Sequence, residues 1–272
     1  MIIFQNYIRP SSLEEAWQLY QKRSSVLLGG MQWLKMSHRT VQTAIDLSDL
    51  GLNGIEEDEK TFTIGCMTSL RMMELHEGLN KYTNGAMREA LRHIVGVQFR
   101  NTATVGGSVA GRFGFSDVST ILLALDAQVV LYKGGSMSVE TYLSSPGGRD
   151  ILTHVIIPKR HLRCCYQSVR ISQTDFPVLT CAAVKDEYEG WRFAIGARPG
   201  KAMLLKDDEW LLGQSETAEE ISDAAKSAFI SYAGKMIPTG SNLRGSAAYR
   251  THLTGVLVQR AIETLEGGPA WN

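Results

Sequence analysis

What the chain lacks narrows it first. Of its 272 residues, 28 are basic and 28 acidic, so the formal charge is zero. No basic face is available to neutralise phosphates along a nucleic acid, and no acidic tail is present. Cysteine is scarce: Cys66, Cys164, Cys165 and Cys181 contain no C-x-x-C spacing and assemble no zinc or iron–sulfur ligand set. Buried thiols are the expectation, with Cys164 and Cys165 pointing to opposite faces of one strand. None of the six histidines has a partner four residues on, which argues against a helical metal site. The start, Met1 to Asn6, has neither a basic region nor a sustained apolar core of the export-signal kind. The longest apolar run, Thr120 to Tyr132, is interrupted by Asp126 and is too short for a bilayer. A soluble cytoplasmic protein is expected. Neither G-x-x-x-x-G-K-[ST] nor a strand-closing G-x-G-x-x-G occurs, which argues against an ordinary P-loop or Rossmann protein.

What is present is a pair of short glycine segments, Leu27-Leu28-Gly29-Gly30-Met31-Gln32-Trp33-Leu34 and Thr104-Val105-Gly106-Gly107-Ser108-Val109-Ala110. Each has an apolar or β-branched lead-in, a Gly-Gly pair and a turn toward helix. Adjacent glycines free the backbone and let bare N–H groups approach a ligand. A concave run of such groups favours phosphate or pyrophosphate. Two of them, facing each other, would hold a dinucleotide; a tight turn without a ligand is the alternative for either alone.

The pattern between these landmarks is mixed. Ser11-Ser12-Leu13-Glu14-Glu15 opens a helix with Ala16, Trp17, Leu19 and Tyr20 on its apolar face. Strands are expected at Val26–Leu28 and Thr43–Leu47, and a hairpin from Asn53–Ile55 to Thr61–Ile64. Helices at about 68–77, 84–95 and 117–125 and a strand from Ala127 to Tyr132 follow. After Gly147-Gly148 come strands at about 151–157, 164–171, 178–188 and 191–197, read as an antiparallel meander. Helices at about 202–212, 216–233 and 245–266 finish the chain, the last with Tyr249, Leu253, Val256, Leu257 and Ile262 as its packing face. The boundary falls near residue 160, giving an α+β architecture in two parts, 1–160 and 161–272.

The order of several further motifs carries a resemblance. These are Pro10-Ser11-Ser12-Leu13-Glu14-Glu15-Ala16, Arg100-Asn101-Thr102-Ala103 leading into the second glycine segment, Ser116-Asp117, Leu122-Leu123-Ala124-Leu125-Asp126-Ala127, Gly196-Ala197-Arg198-Pro199-Gly200-Lys201-Ala202 and Leu243-Arg244-Gly245-Ser246-Ala247-Ala248-Tyr249-Arg250. Together they resemble, over nearly the whole length, the FAD-binding medium subunit of the molybdenum hydroxylases, the group of xanthine dehydrogenase and aerobic carbon monoxide dehydrogenase.

The resemblance implies an FAD-binding domain of the vanillyl-alcohol-oxidase type in two parts, followed by an antiparallel sheet plus helices. It implies that Leu28, Gly29, Gly30, Met31, Gln32, Trp33 and Leu34 grip the pyrophosphate with Thr104, Val105, Gly106, Gly107 and Ser108, the Thr104 and Ser108 hydroxyls adding to the backbone donors. Asp117 stands where the family places an acid on the cofactor's ribose hydroxyls, or it caps the helix it opens. Ile94 and Leu152 fall at apolar cavity positions, or are core. Trp33 replaces a smaller residue and either stacks near the flavin or packs; Ser108 replaces a frequent Asn; Gln167 stands where several relatives have Lys, removing a cation that would favour reduced flavin.

The implied role is an electron-transfer subunit that takes electrons from the [2Fe–2S] centres of a small subunit, supplied by a molybdenum-pterin large subunit. NAD⁺, oxygen, a ferredoxin or a quinone remain open as acceptors. No extra cluster and no catalytic dyad or triad of the chain's own is expected. A stand-alone flavin reductase and a scaffold subunit with a decayed flavin site are the alternatives.

Overall fold

The structure is a computed structural model and describes residues 1–213 and 221–267. It opens with β1 (Ile3–Ile8), α1 (Leu13–Tyr20), β2 (Ser25–Leu28) and β3 (Thr40–Asp46). These strands form a parallel sheet in the order β1-β3-β2, with α1 as the crossover. Ser12 caps α1, its side chain accepting from the Glu15 amide, while Glu15 accepts in return from Ser11. The 11 residues between β2 and β3 carry the first glycine segment and a 3₁₀ turn, Leu34–Met36.

The next unit begins with β4 (Ile55–Glu57) and β5 (Thr61–Gly65). Six short helices follow: α2 (Leu70–Leu75), α3 (Glu77–Tyr82), α4 (Ala86–Arg92), α5 (Val97–Thr102), α6 (Val105–Ala110) and α7 (Asp117–Ala124). Then come β6 (Gln128–Leu131), β7 (Gly135–Ser138), α8 (Val139–Ser144) and β8 (Leu152–Pro158). The five strands make an antiparallel sheet in the order β4-β5-β8-β6-β7. The strand at 151–157 is therefore not part of the later meander. It is the central strand of this sheet, paired with β5 on one side and β6 on the other. The expected helix at 68–77 is broken by His76, whose ring nitrogen caps α3 at the Leu79 amide.

The last unit is β9 (Leu162–Arg170), β10 (Pro177–Asp186), β11 (Gly190–Gly196) and β12 (Met203–Lys206), an antiparallel sheet in simple order, followed by α9 (Asp223–Met236) and α10 (Ala247–Glu266). The expected helix at 202–212 is thus a strand and a turn. Ala202 to Leu205 is too short an apolar run for its period to show, and it pairs along β11. The Asp207 carboxylate then accepts from the Leu211 and Leu212 amides to close the turn. The helix expected at 216–233 begins at Asp223, behind the Ser222 cap; residues 216–220 lie outside the described residues. On α10 the buried face is turned by one residue: Arg250, Leu253, Leu257, Ala261 and Ile262 are inside, and Tyr249 is out.

The last sheet is covered on both faces. Cys164, Tyr166, Ala182, Val184 and Ala194 join the core shared with the helices before residue 130. Cys165, Cys181, Ala183, Phe193 and Ile195 join a second core under α9 and α10. Cys164 and Cys165 fall on opposite faces, as strand alternation requires, and all four thiols are free and buried.

Candidate cofactor site

A cleft of about 640 Å³ runs between the first parallel sheet, the helices α5 to α7 and the β9–β10 turn, within the size range of small-molecule sites. Its walls include Leu28, Gly29, Gly30, Met31, Gln32, Trp33, Leu34, Ile94, Thr104, Gly106, Gly107, Ser108, Asp117 and Leu152. Fourteen of the sixteen residues singled out from the sequence are thus brought together. Val105 and Gln167 are not. Val105 points into the core at 0% exposure. Gln167 sits opposite Cys181 on the face of β9 turned toward α9 and α10.

The first glycine segment leaves its amides bare. Among the described residues no acceptor is found for the amides of Gly29, Gly30, Met31, Gln32 or Trp33. Glycine is required by close approach. A Cβ on Gly30 would lie 1.8 Å from the Thr102 carbonyl oxygen, and one on Gly29 would lie 2.7 Å from Thr104 Oγ1. Met31 has φ 55°, an uncommon left-handed setting that lets the chain turn along the cleft. Gln32 ties the segment down by donating to Thr102 Oγ1.

The second segment differs from its expectation. It is the first turn of α6, and its amides are spent inside the protein: Val105 on the Thr68 carbonyl, Gly106 on Cys66, Gly107 on the Thr104 hydroxyl and Ser108 on the Thr104 carbonyl. Gly106 is glycine because a Cβ would lie 2.7 Å from both Cβ and O of Cys66. The two hydroxyls also differ. Ser108 donates its hydrogen to the Thr104 carbonyl, whereas Thr104 Oγ1 accepts from Gly107 and among the described residues its own hydrogen has no acceptor. Cys66 lies on the cleft wall, and burial pushes its thiol up to about 12, which favours the protonated form.

Asp117 is not the cap of α7; Ser116 is, accepting from the Ser119 amide. Asp117 is the first helical residue, and its Oδ1 accepts from the Tyr166 hydroxyl at 2.5 Å and from the Arg170 guanidinium. Burial pushes this carboxyl up, and Arg170 and Tyr166 pull against it without fully offsetting the burial. Arg170 lies on the same face of β9 as Tyr166 and lines the cleft, so the strand supplies a cation to the cleft three residues beyond Gln167. Alternation along the strand was the signal that could have found it.

Trp33 is 40% exposed and belongs to no core. Its ring stands 5.4 to 5.5 Å from Phe113, Phe115 and Phe176, and together they form an aromatic wall of the cleft. The Ile94–Val95 turn, also on the cleft wall, is held from behind. Arg100, buried against Glu74 at 2.7 Å, donates to the carbonyls of Ile94 and Val95. It thereby sustains φ 49° at Val95, which is costly for a β-branched residue. Arg39 also borders the cleft, and among the described residues its guanidinium has no partner. The Ser37 hydroxyl on the same wall is shielded from solvent and has no partner among them either.

Residues 3–160 match the family model described as the FAD binding domain in molybdopterin dehydrogenase, and residues 164–265 match the CO dehydrogenase flavoprotein C-terminal domain. The uncharacterized protein YgfM of Escherichia coli K12 is 32% identical, with 94% of each chain covered. The nicotine 6-hydroxylase medium subunit of Paenarthrobacter nicotinovorans is 29% identical, over 94% of this chain and 95% of the other. The reconstituted CO dehydrogenase from Oligotropha carboxidovorans has the same fold, with a TM-score of 0.85 at 23% identity over 98% and 99% of the two chains.

The chain therefore belongs to the FAD-binding family of the molybdopterin dehydrogenases. It is an FAD-binding medium subunit of the molybdenum hydroxylase type, an oxidoreductase component. The residues present fit that cofactor. The free amides of Gly29 to Trp33, the Thr104 and Ser37 hydroxyls and Arg39 suit phosphate and ribose oxygens, and the aromatic wall suits a ring. No helix of the described residues is long and apolar enough to cross a membrane.

Proposed function

We propose that this chain is the electron-relay subunit of a three-part molybdenum hydroxylase, with residues 1–160 as its cofactor domain and 161–272 as its C-terminal domain. It would receive electrons from the [2Fe–2S] centres of a small subunit, fed by a molybdenum-pterin large subunit, and deliver them to NAD⁺ or another acceptor. The observation that carries the reading is the run of unpartnered amides from Gly29 to Trp33 on the cleft wall.

In this reading the amides of Gly29 to Trp33, with Arg39 and the Thr104 hydroxyl, bind the diphosphate. Asp117 accepts hydroxyl hydrogens through its remaining capacity, Arg170 adds positive charge, and Ile94, Leu152 and the aromatic wall exclude water from the ring. When bound, the flavin supplies the redox chemistry, and the protein positions and tunes it.

The reading is tested by purifying the full chain and measuring flavin absorbance and acid-released FAD. Near one FAD per chain is the expected result; a chain that takes up none after incubation with FAD refutes it. Copurification with molybdenum-pterin and [2Fe–2S] subunits, and NADH formation by that complex, test the relay.

A further inference from the structure

A third glycine pair, Gly147-Gly148, borders the same cleft, and its surroundings suggest a task. The segment is tethered at both ends. The Ser145 amide donates to the Thr141 carbonyl at 2.9 Å, and the Ser145 carbonyl accepts from Arg112. At the other end Arg149 donates to the carbonyls of Tyr20, Lys22 and Ser25, and Gln21 holds the Arg149 carbonyl at 2.9 Å.

Between the tethers Pro146, Gly147 and Gly148 are exposed. A Cβ at either glycine would meet nothing within 4 Å, and neither glycine has a positive φ. Glycine is therefore not needed for the conformation seen, although it costs chain entropy there. What two adjacent glycines offer is access to other conformations. Among the described residues neither amide has an acceptor.

The strap is bordered by Tyr20 and Tyr142, each under the guanidinium of one tether: Arg149 at 4.3 Å and Arg112 at 4.2 Å from the ring centres. The aromatic wall of Trp33, Phe113, Phe115 and Phe176 is a separate cluster of the cleft. An FAD has two ring systems, and the cleft has two ring-bearing regions.

We infer that the Pro146–Gly148 strap is the cleft's adenosine clamp. It folds inward through backbone conformations that glycine reaches and other residues do not, and its two amides donate to oxygens of the adenosine half. The clamp thereby selects FAD over FMN, which lacks that half. This rests on the reading of the cleft as an FAD site.

The test is the double variant Gly147→Ala/Gly148→Ala in the full chain. Because each new methyl enters open space at ordinary φ, the apo variant should melt at or above the wild-type temperature. Its FAD should leave faster by about tenfold, read as recovery of flavin fluorescence on dilution, as expected when closing contacts are lost. FMN should leave both proteins at the same rate. FAD release at the wild-type rate overturns the clamp, and so does equal acceleration of FMN release. A wild-type chain that takes up no FAD at all is a different failure. It removes the cofactor reading itself and is seen before any variant is made.

Discussion

At the scale of single residues, the ion pair of Arg170 and Asp117 ties β9 to the start of α7 at the cleft wall. Both side chains are almost wholly buried, at 7% and 6% exposure. Removing one partner of such a pair leaves an uncompensated charge in a poor solvent. Arg170→Gln is therefore expected to destabilise the fold by about 3 kcal/mol in urea unfolding. The double variant Arg170→Gln/Asp117→Asn should recover most of the loss; additive losses would show that the two groups do not act as a pair. Gly30 is the other decisive residue. A methyl group there collides with the Thr102 carbonyl at 1.8 Å and with Ala103 Cα at 2.8 Å. Gly30→Ala should force the first segment away from α5, costing about 3 kcal/mol by backbone strain and lowering FAD content in the purified chain.

At the scale of elements, the cleft is assembled from short pieces whose ends are pinned by side chains. Thr104 begins α6 by capping Gly107. Thr104→Ala should lose about 1 kcal/mol, measured as a shift in the urea midpoint, with the cap as the cause. The Ile94–Val95 turn depends on Arg100 and therefore on Glu74. Burial alone would raise the Glu74 carboxyl, but the hydrogen bonds from Arg100 and Arg71 outweigh it and hold it below its ordinary value. An acid with a lowered folded value stabilises the fold above its unfolded value, about 4.3, and that contribution disappears as pH falls through the lower folded value. Glu74→Gln should therefore destabilise the protein at neutral pH. The gap to wild type should narrow below about pH 4, followed by thermal melting across pH; a gap independent of pH would contradict the ion-pair account.

At the scale of the molecule, the last sheet joins the two cores and carries the cleft's Arg170 on one of its strands. Arg250 locks the far side of that sheet to the motif loop before α10. It is fully buried and donates to the carbonyls of Val178 and Gly240 at 2.9 and 2.8 Å and to Asn242 Oδ1 at 2.6 Å. Arg244 on the same loop reaches back to Asp175 at 3.0 Å, beside the aromatic wall. Arg250→Leu strands buried carbonyls without donors. It should lower the melting temperature and weaken FAD retention together, although Arg250 is not part of the cleft wall.

The sequence by itself determined the features that a few neighbouring residues encode. The glycine segments, the Ser12 cap, the opposite faces of Cys164 and Cys165 and the order of motifs are local or linear signals, and they led to the family and to fourteen residues of the cleft wall. Only the tertiary structure decided what depends on partners distant in the chain. Met203–Lys206 became a strand because β11 offered it an edge, and Leu152–Pro158 joined β5 and β6 because those strands left a place between them. Gly106 and Gly107 spend their amides on Cys66 and Thr104, so of the two segments expected to grip the pyrophosphate it is the first that keeps bare donors among the described residues. Trp33 has Phe113, Phe115 and Phe176, which lie far along the chain, as its ring partners. Backbone preference is set within a turn or two, whereas hydrogen-bond partners and burial are set by whichever segment arrives from elsewhere in the chain.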